Sequence, residues 1–208
     1  MSSRFIFISV LFALSWNFGE LRAEIQATPR LVAARLAKTR IAPTILLEPI
    51  NSRSFPQAID FLHKTFEYDS HSQFYLSISR DLQQIAVDNR TRNSRSKNAY
   101  WIARDRDEDL RVVGVTGIAE DSTSSQVGWL FWLAVDPNYR GRGFGSQLLS
   151  FTLERAKEMG FSQMNISTST IPQEAAAQDL YKKFGFVELK RTANRAMKCH
   201  DLLLARLL

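Results

Sequence analysis

The segment LAVDPNYRGRGFGSQLL, residues 133–149, decides how this sequence is interpreted. It starts within the run Val127–Val135, which is apolar on both faces and is typical of a central strand. Asp136 and Pro137 end that strand, and the apolar spacing that begins at Leu148 predicts an amphipathic helix. A glycine-rich loop between a strand and a helix presents unpaired backbone N–H groups at the positive end of the helix dipole. The segment therefore predicts a phosphate-binding site.

The composition of the loop narrows the choice of phosphate ligand. Its glycines allow positive φ and a close approach of the backbone to a phosphate, and its arginines add positive charge. A P-loop requires a lysine, which is absent here, and a dinucleotide fingerprint requires glycine where Ser146 stands. The pattern that remains is Arg-x-x-Gly-x-Gly. Its loop contains Arg140, Gly141, Arg142, Gly143 and Gly145.

A second motif, A-x-x-L-Y-x-x-x-G-F, occupies residues 177–186 and includes Tyr181. In order and spacing, the two motifs resemble those of the Gcn5-related N-acetyltransferase (GNAT) family, whose acetyl-CoA loop has the pattern Q/R-x-x-G-x-G/A. The resemblance covers Pro43–Leu208. One departure is Glu174, which stands where the family often has an asparagine that contacts the cofactor.

Short apolar runs mixed with helical periodicity predict an α/β (α+β) domain. By resemblance, its sheet is mixed and mostly antiparallel, has helices on both faces, and splays one strand pair apart to hold acyl-CoA. The predicted elements are strands at Thr44–Ile50, Ala99–Arg104, Val112–Glu120, Val127–Val135 and Ser162–Thr170, helices at 54–66, Gln73–Asp88 and Gln173–Phe184, the helix after the glycine loop, and a C-terminal antiparallel strand pair.

The resemblance implies that acetyl-CoA is the co-substrate. No metal is expected, because the chain has one cysteine and three histidines, no two of which are at a metal-binding spacing. The end of the strand at Val127–Val135 would pair with the pantetheine arm, and the loop would hold the pyrophosphate, with Ser146 as the first helical residue. The cofactor-binding residues implied in this way are Leu133, Ala134, Val135, Arg140, Gly141, Arg142, Gly143, Phe144, Gly145, Ser146, Glu174 and Ala177.

Two side chains are candidates for proton transfer. Tyr181 would protonate the leaving thiolate if the resemblance holds, because a phenol with a pKa of about 10 is a competent donor to a thiolate whose thiol has a pKa of about 8.5. Glu120 would remove the proton of the attacking amine, since it ends a strand that adjoins the cleft. A packed core tyrosine and a solvated carboxylate are the respective structural alternatives. Cys199 is interpreted as a core residue. By resemblance, His63 and His71 lie near the acceptor pocket, and exposed or capping histidines are the structural alternative.

The 208 residues suit one domain with an extension, and the composition is that of a globular protein. Residues 1–42 hold six basic and two acidic side chains, so they carry most of the net charge of +6. This extension resembles a secretory signal, a transit peptide or a misassigned start, and its apolar stretch is too short to predict a membrane span. We expect a cytoplasmic protein, or an exported or organellar one if the extension is a targeting segment.

Three functions remain open from the sequence. The first is direct acetyl transfer to the primary amine of a small molecule or protein. The second is a silent acyl-CoA sensor, and the third, less favoured, is nucleic-acid binding through the basic run Arg90–Lys97. The expected partners are acetyl-CoA and an amine, with no nucleic acid, and a homodimer stays open. Four acidic residues favour a cationic amine: Glu67, Asp69, Glu120 and Asp121.

Overall fold

The computed structural model describes residues 45–66, 97–106 and 109–208. The predicted helix Gln73–Asp88, the N-terminal extension and most of the basic run lie outside these residues. The elements are strands β1 (Ile45–Pro49), β2 (Ala99–Asp105), β3 (Val112–Glu120), β4 (Val127–Val135), β5 (Gln163–Ser169), β6 (Val187–Asn194) and β7 (Cys199–Leu207), helices α1 (Phe55–Phe66), α2 (Phe144–Glu158) and α3 (Ala175–Lys183), and 3₁₀ turns at Pro137–Tyr139 and Pro172–Glu174.

The strands form one seven-stranded sheet in the order β1-β2-β3-β4-β5-β7-β6. All neighbouring pairs are antiparallel except β4 and β5, which are parallel. The predicted mixed, mostly antiparallel sheet is confirmed. The parallel pair follows from the chain path, because helix α2 crosses over between β4 and β5.

Strands β4 and β5 pair over only a short distance. Their register joins Val127 to Gln163, Gly128 to Met164 and Trp129 to Asn165, and no pairing continues beyond Trp129. The two strands therefore separate towards their carboxyl ends. The wedge between them opens at the end of β4 that leads into the glycine loop.

The helices cover the two faces of the sheet separately. Helix α1 buries Ala58, Ile59 and Leu62 against β2, β3 and β4 on one face. On the other face, α2 and α3 pack together over a core that includes Leu149 and Tyr181. Each helix places its apolar residues three or four positions apart, so one side of it meets the sheet.

Glycine marks both ends of helix α2. Gly143 precedes the first helical residue with φ 87°, and Gly160 follows the last turn with φ 83°. The N–H of Phe161 donates to the carbonyl of Ala156 at 3.0 Å, which closes the helix with a glycine-dependent C-terminal turn. Helix α2 begins at Phe144, two residues before the predicted Ser146, because Gly143 already supplies the turn into the helix.

Within the described ranges, no helix is both long and apolar enough to cross a lipid bilayer.

Candidate functional site

The glycine loop joins the open end of β4 to helix α2. Asp136 accepts a hydrogen bond from the N–H of Asn138 at 2.8 Å and so fixes the turn that follows the strand. Gly141 and Gly143 have φ of 74° and 87°, values that favour glycine. A Cβ built on either of them meets no atom within 4 Å, so the space above the loop is open.

The first turn of α2 leaves its backbone N–H groups available. The N–H of Gln147 makes the first helical hydrogen bond, to the carbonyl of Gly143 at 3.1 Å. The three preceding helical residues, Phe144, Gly145 and Ser146, have N–H groups that cannot bond within the helix. The side chain of Phe144 is buried, so this residue can contribute to a site only through its backbone. These amides can donate to an anion, and the positive end of the helix dipole favours the binding of that anion.

Arginine side chains surround the loop. Arg140 and Arg142 are exposed, and the Nε of Arg140 donates to the carbonyl of Val135 at 3.2 Å. The guanidinium of Arg142 lies 4.8 Å from the ring centre of Tyr139. Arg111, which the sequence analysis missed, pairs with Asp136 at 3.0 Å. The loop therefore combines free amides with positive charge, as a diphosphate site requires.

Strand β4 is irregular where it faces the wedge. Its register against β3 joins Phe131 to Gly117 and Ala134 to Val115, so two residues of β4 oppose one residue of β3. Trp132, one of the two, has φ 55°, which is rare for a tryptophan. The β-bulge changes the direction of the backbone just before Leu133–Val135, the residues predicted to pair with pantetheine. These residues line the open part of the wedge.

The last residues of β5 do not pair with β4, and side chains of the following turn and of α3 bond to them instead. The carboxylate of Glu174 accepts a hydrogen bond from the hydroxyl of Thr168 at 2.5 Å and one from the N–H of Ser169 at 2.6 Å. The amide of Gln178 donates to the carbonyl of Ser169 at 2.5 Å. Glu174 thus binds the end of β5, the strand that precedes it in the chain. Thr168 and Gln178 were not among the predicted residues, because their partners are known only once β5 and α3 are adjacent.

Tyr181 lies on α3 and is 7% exposed. Its ring packs against Phe186 with 6.0 Å between the ring centres, and its neighbour Leu180 lies beside the first turn of α2. A Cβ built on Gly145 would be 3.4 Å from the Cδ2 of Leu180, so the glycine loop and α3 are adjacent. The half-buried Ala177 lies one turn earlier on the same helix. The structure therefore places α3, the helix that carries the predicted acid, beside the predicted loop.

Burial raises the pKa of Tyr181, and the negative charge of Glu174 raises it further. Both effects disfavour the phenolate, so Tyr181 carries its proton throughout the neutral range. It can donate a hydrogen bond or a proton at that pH.

The raised pKa of Tyr181 predicts a pH-dependent stability. The unfolded chain, with a tyrosine pKa of about 10, loses this proton at a pH where the folded protein keeps it. The stabilisation is therefore complete below pH about 10 and falls as the pH rises further. From pH about 10 to about 11, wild type should lose about 1 kcal/mol more free energy of unfolding than Tyr181→Phe. Urea denaturation of both proteins at the two pH values checks this. Equal losses would mean that Tyr181 ionises as readily in the folded protein.

The structure does not bring Glu120 to this site. Glu120 pairs with Gly128, at the closed end of the wedge, whereas the loop follows Val135 at the other end of β4. Strand alternation places Glu120 on the face of Ile118, which is covered by α2 and α3. Its carboxylate accepts from the N–H of Lys97 at 3.4 Å. This placement does not favour the predicted role of Glu120 as the base.

We expect Glu120→Gln to leave kcat within about twofold of wild type, because the side chain lies away from the open wedge. Initial rates of thiol release with a saturating amine measure the effect. A fall of about 10²-fold or more, the range for loss of a general base, would restore Glu120 as the proton acceptor.

Asp121 and Cys199 are both unsuited to transfer chemistry. The two oxygens of Asp121 accept hydrogen bonds from Thr123 and from the Nε1 of Trp129, the latter at 2.7 Å. Cys199 is half-buried, and burial together with the charges of Asp201 and Glu174 raises its pKa, so it is a poor nucleophile.

Among the residues that the structure describes, no group of three or more His, Cys, Asp or Glu side chains could hold a metal ion. His63 lies on α1, half-buried, and Glu67, Asp69 and His71 fall outside the described ranges.

Comparison with known proteins places these features in a family. The sequence model described as the Acetyltransferase (GNAT) family matches residues 57–186. N-acetyltransferase 8B of Homo sapiens is 28% identical over 89 residues, which are 43% of this chain and 38% of that protein. The chain thus spans about two fifths of the length of the curated relatives that it matches first.

Solved structures agree on the fold. An acetyltransferase of the GNAT family from Streptococcus pneumoniae superposes with a TM-score of 0.61 at 21% identity, over 79% of this chain and 99% of that one. Spermidine N-acetyltransferase from Vibrio cholerae, solved with CoA and spermine, gives a TM-score of 0.59 at 11% identity, over 79% and 95%. Residues 57–186, which the family model matches, contain the glycine loop, the wedge and Tyr181. The chain belongs to the GNAT acetyltransferase family.

Proposed function

We propose that this protein is an acetyl-CoA-dependent N-acetyltransferase, which transfers an acetyl group directly to a primary amine while both substrates are bound. The observation that carries the proposal is the wedge between β4 and β5, which opens onto a loop with free amides and arginines. Family membership supports the same reaction class.

The residues present fit acetyl-CoA. The N–H groups at the start of α2 and the exposed Arg140 and Arg142 would hold its diphosphate, and the open space above Gly141 and Gly143 leaves room for it. The unpaired side of β4 from Leu133 to Val135 would bind its amide-containing arm by backbone hydrogen bonds. When bound, this co-substrate supplies an activated acyl group as a thioester.

The reaction then needs one proton to be donated and another to be removed. The departing thiolate needs one, and the protonated, buried Tyr181 is our proposed donor. The amine must lose one, which for a lysine-like group costs roughly 4–5 kcal/mol at pH about 7. Glu120 was the predicted acceptor of this proton, and its position at the closed end of the wedge does not favour that role.

The test is a thermal-unfolding titration with acetyl-CoA, followed by a panel of primary amines in an assay that reports free thiol. A ligand that binds only the folded state must raise Tm as its concentration rises. We expect a rise in Tm and thiol release with at least one amine. A rise in Tm with no turnover for any amine would favour the silent sensor. No rise in Tm would overturn the proposal.

A further inference from the structure

The β-bulge in β4 directs two consecutive aromatic side chains onto one face of the sheet. In a regular strand, neighbouring residues point to opposite faces. Here both Phe131 and Trp132 pack against the core beneath α1, while the next residue, Leu133, packs on the opposite face. The bulge begins at Trp132, three residues past Trp129, which is the last residue of β4 that pairs with β5. These rings therefore stand beside the open wedge.

The two rings belong to a continuous aromatic layer. Tyr100 of β2 lies over Gly117 of β3, where any Cβ would overlap the tyrosine ring. Phe131 meets Tyr100 edge-on, with ring centres 6.4 Å apart and planes at 83°. Trp132 meets Phe66 of α1, with ring centres 5.8 Å apart. We call Phe66, Phe131 and Trp132 the aromatic wall.

Exposure within this layer increases towards the wedge. Tyr100 is 2% exposed, whereas the three residues of the aromatic wall are only partly buried. Partly accessible aromatic rings next to a cleft can bury the apolar part of a ligand, with a favourable contribution from each ring.

Four carboxylates on the described part of this face have partners, and one of them, Asp201 beside Ser169 at the open end of β5, accepts from the Nδ2 of Asn194 at 3.1 Å. Glu48 pairs with Arg104 at 2.5 Å, and Asp60 pairs with Lys64 on the exposed side of α1. Asp121 accepts from Trp129 and Thr123. The described surface near the wedge thus offers aromatic rings beside carboxylates that already accept hydrogen bonds. The expectation of a cationic amine rested partly on Glu120, which lies at the closed end of the wedge, and on Asp121, whose two oxygens accept from Thr123 and Trp129.

We propose that the acceptor carries an aryl or other large apolar group close to its primary amine, and that the aromatic wall binds that group. This inference rests on the proposed function and names the substrate class of the same site. A cation over the rings is the alternative, and the comparison with spermidine distinguishes it.

The first test compares 2-phenylethylamine, ethylamine and spermidine with wild-type protein at saturating acetyl-CoA. Burial of the phenyl group should raise kcat/KM for 2-phenylethylamine by roughly 30-fold over ethylamine and above the value for spermidine. A higher kcat/KM for spermidine overturns the inference but leaves the proposed transfer intact.

The second test uses variants of the wall. Phe66→Leu and Trp132→Leu should each lower the ratio of kcat/KM for 2-phenylethylamine to kcat/KM for ethylamine about tenfold, through the KM for 2-phenylethylamine. Phe66 lies on α1 and not on β4, so its variant is informative even if Trp132→Leu disturbs the strand. Phe151→Leu is the control, because Phe151 packs on Trp101 on the opposite face. An equal loss in Phe151→Leu, or none in Phe66→Leu, contradicts the wall.

A binding measurement separates the two proposals. Calorimetry with protein saturated with CoA, titrated with 2-phenylethylamine or spermidine, needs no turnover. Tighter binding of 2-phenylethylamine, weakened in Phe66→Leu, supports the wall even if no amine is acetylated, in which case only the transfer chemistry fails. Tighter binding of spermidine overturns the wall.

Discussion

Gly143→Asp is expected to weaken the binding of acetyl-CoA by at least about 100-fold. Gly143 has φ 87°, a conformation that costs an L-residue about 1–2 kcal/mol, so the loop must strain or rearrange. The new carboxylate would also stand at the mouth of the diphosphate site. Like charges about 4 Å apart near a protein surface repel by about 4 kcal/mol, which is far more than a factor of 100 in Kd. Calorimetric titration with acetyl-CoA measures the change.

Gly160→Asp is the matched control for this prediction. Gly160 has nearly the same φ, 83°, and an equally open surrounding, but it lies at the other end of helix α2. Gly160→Asp should lose more stability than Gly143→Asp, because its carboxylate faces the negative end of the helix dipole, and only Gly143→Asp should lose affinity. If Gly143→Asp binds acetyl-CoA as tightly as wild type, the loop does not hold the diphosphate and the proposed function falls with it.

Tyr181→Phe is expected to lower kcat by about 10²–10⁴-fold, the range for loss of a general acid. The variant keeps the ring that packs against Phe186 and removes only the hydroxyl. The KM for acetyl-CoA and the Tm at neutral pH should therefore change little. Steady-state rates at several acetyl-CoA concentrations separate kcat from KM.

The outcome also distinguishes the roles of Tyr181. Unchanged kcat with every accepted amine would show that Tyr181 is only a packed core residue, which is the alternative to the acid role. A parallel loss of kcat and Tm would indicate damage to the core beneath α3. A large loss of kcat at unchanged Tm is what the acid role requires.

The local features of this site can be predicted from the sequence without knowledge of tertiary contacts. Gly143 and Gly160 mark the ends of α2 because positive φ is a property of single residues, readable without knowledge of their neighbours. The apolar runs predicted most strands to within a residue or two, since strand periodicity is also local. The spacing of the loop and the Tyr181 motif was sufficient to identify the family, which the comparisons confirm.

Which distant residues come into contact is seen only in the tertiary structure. Only the pairing register places Glu120 at the closed end of the wedge, far along β4 from the loop that it was expected to serve. Only the adjacency of β5 and α3 gives the Glu174 carboxylate its partners. The β-bulge at Trp132 arises from the two-against-one match with β3, which no pattern within β4 reveals. Contacts between distant segments depend on register and packing, and a one-residue slip reverses the face of every side chain in a strand.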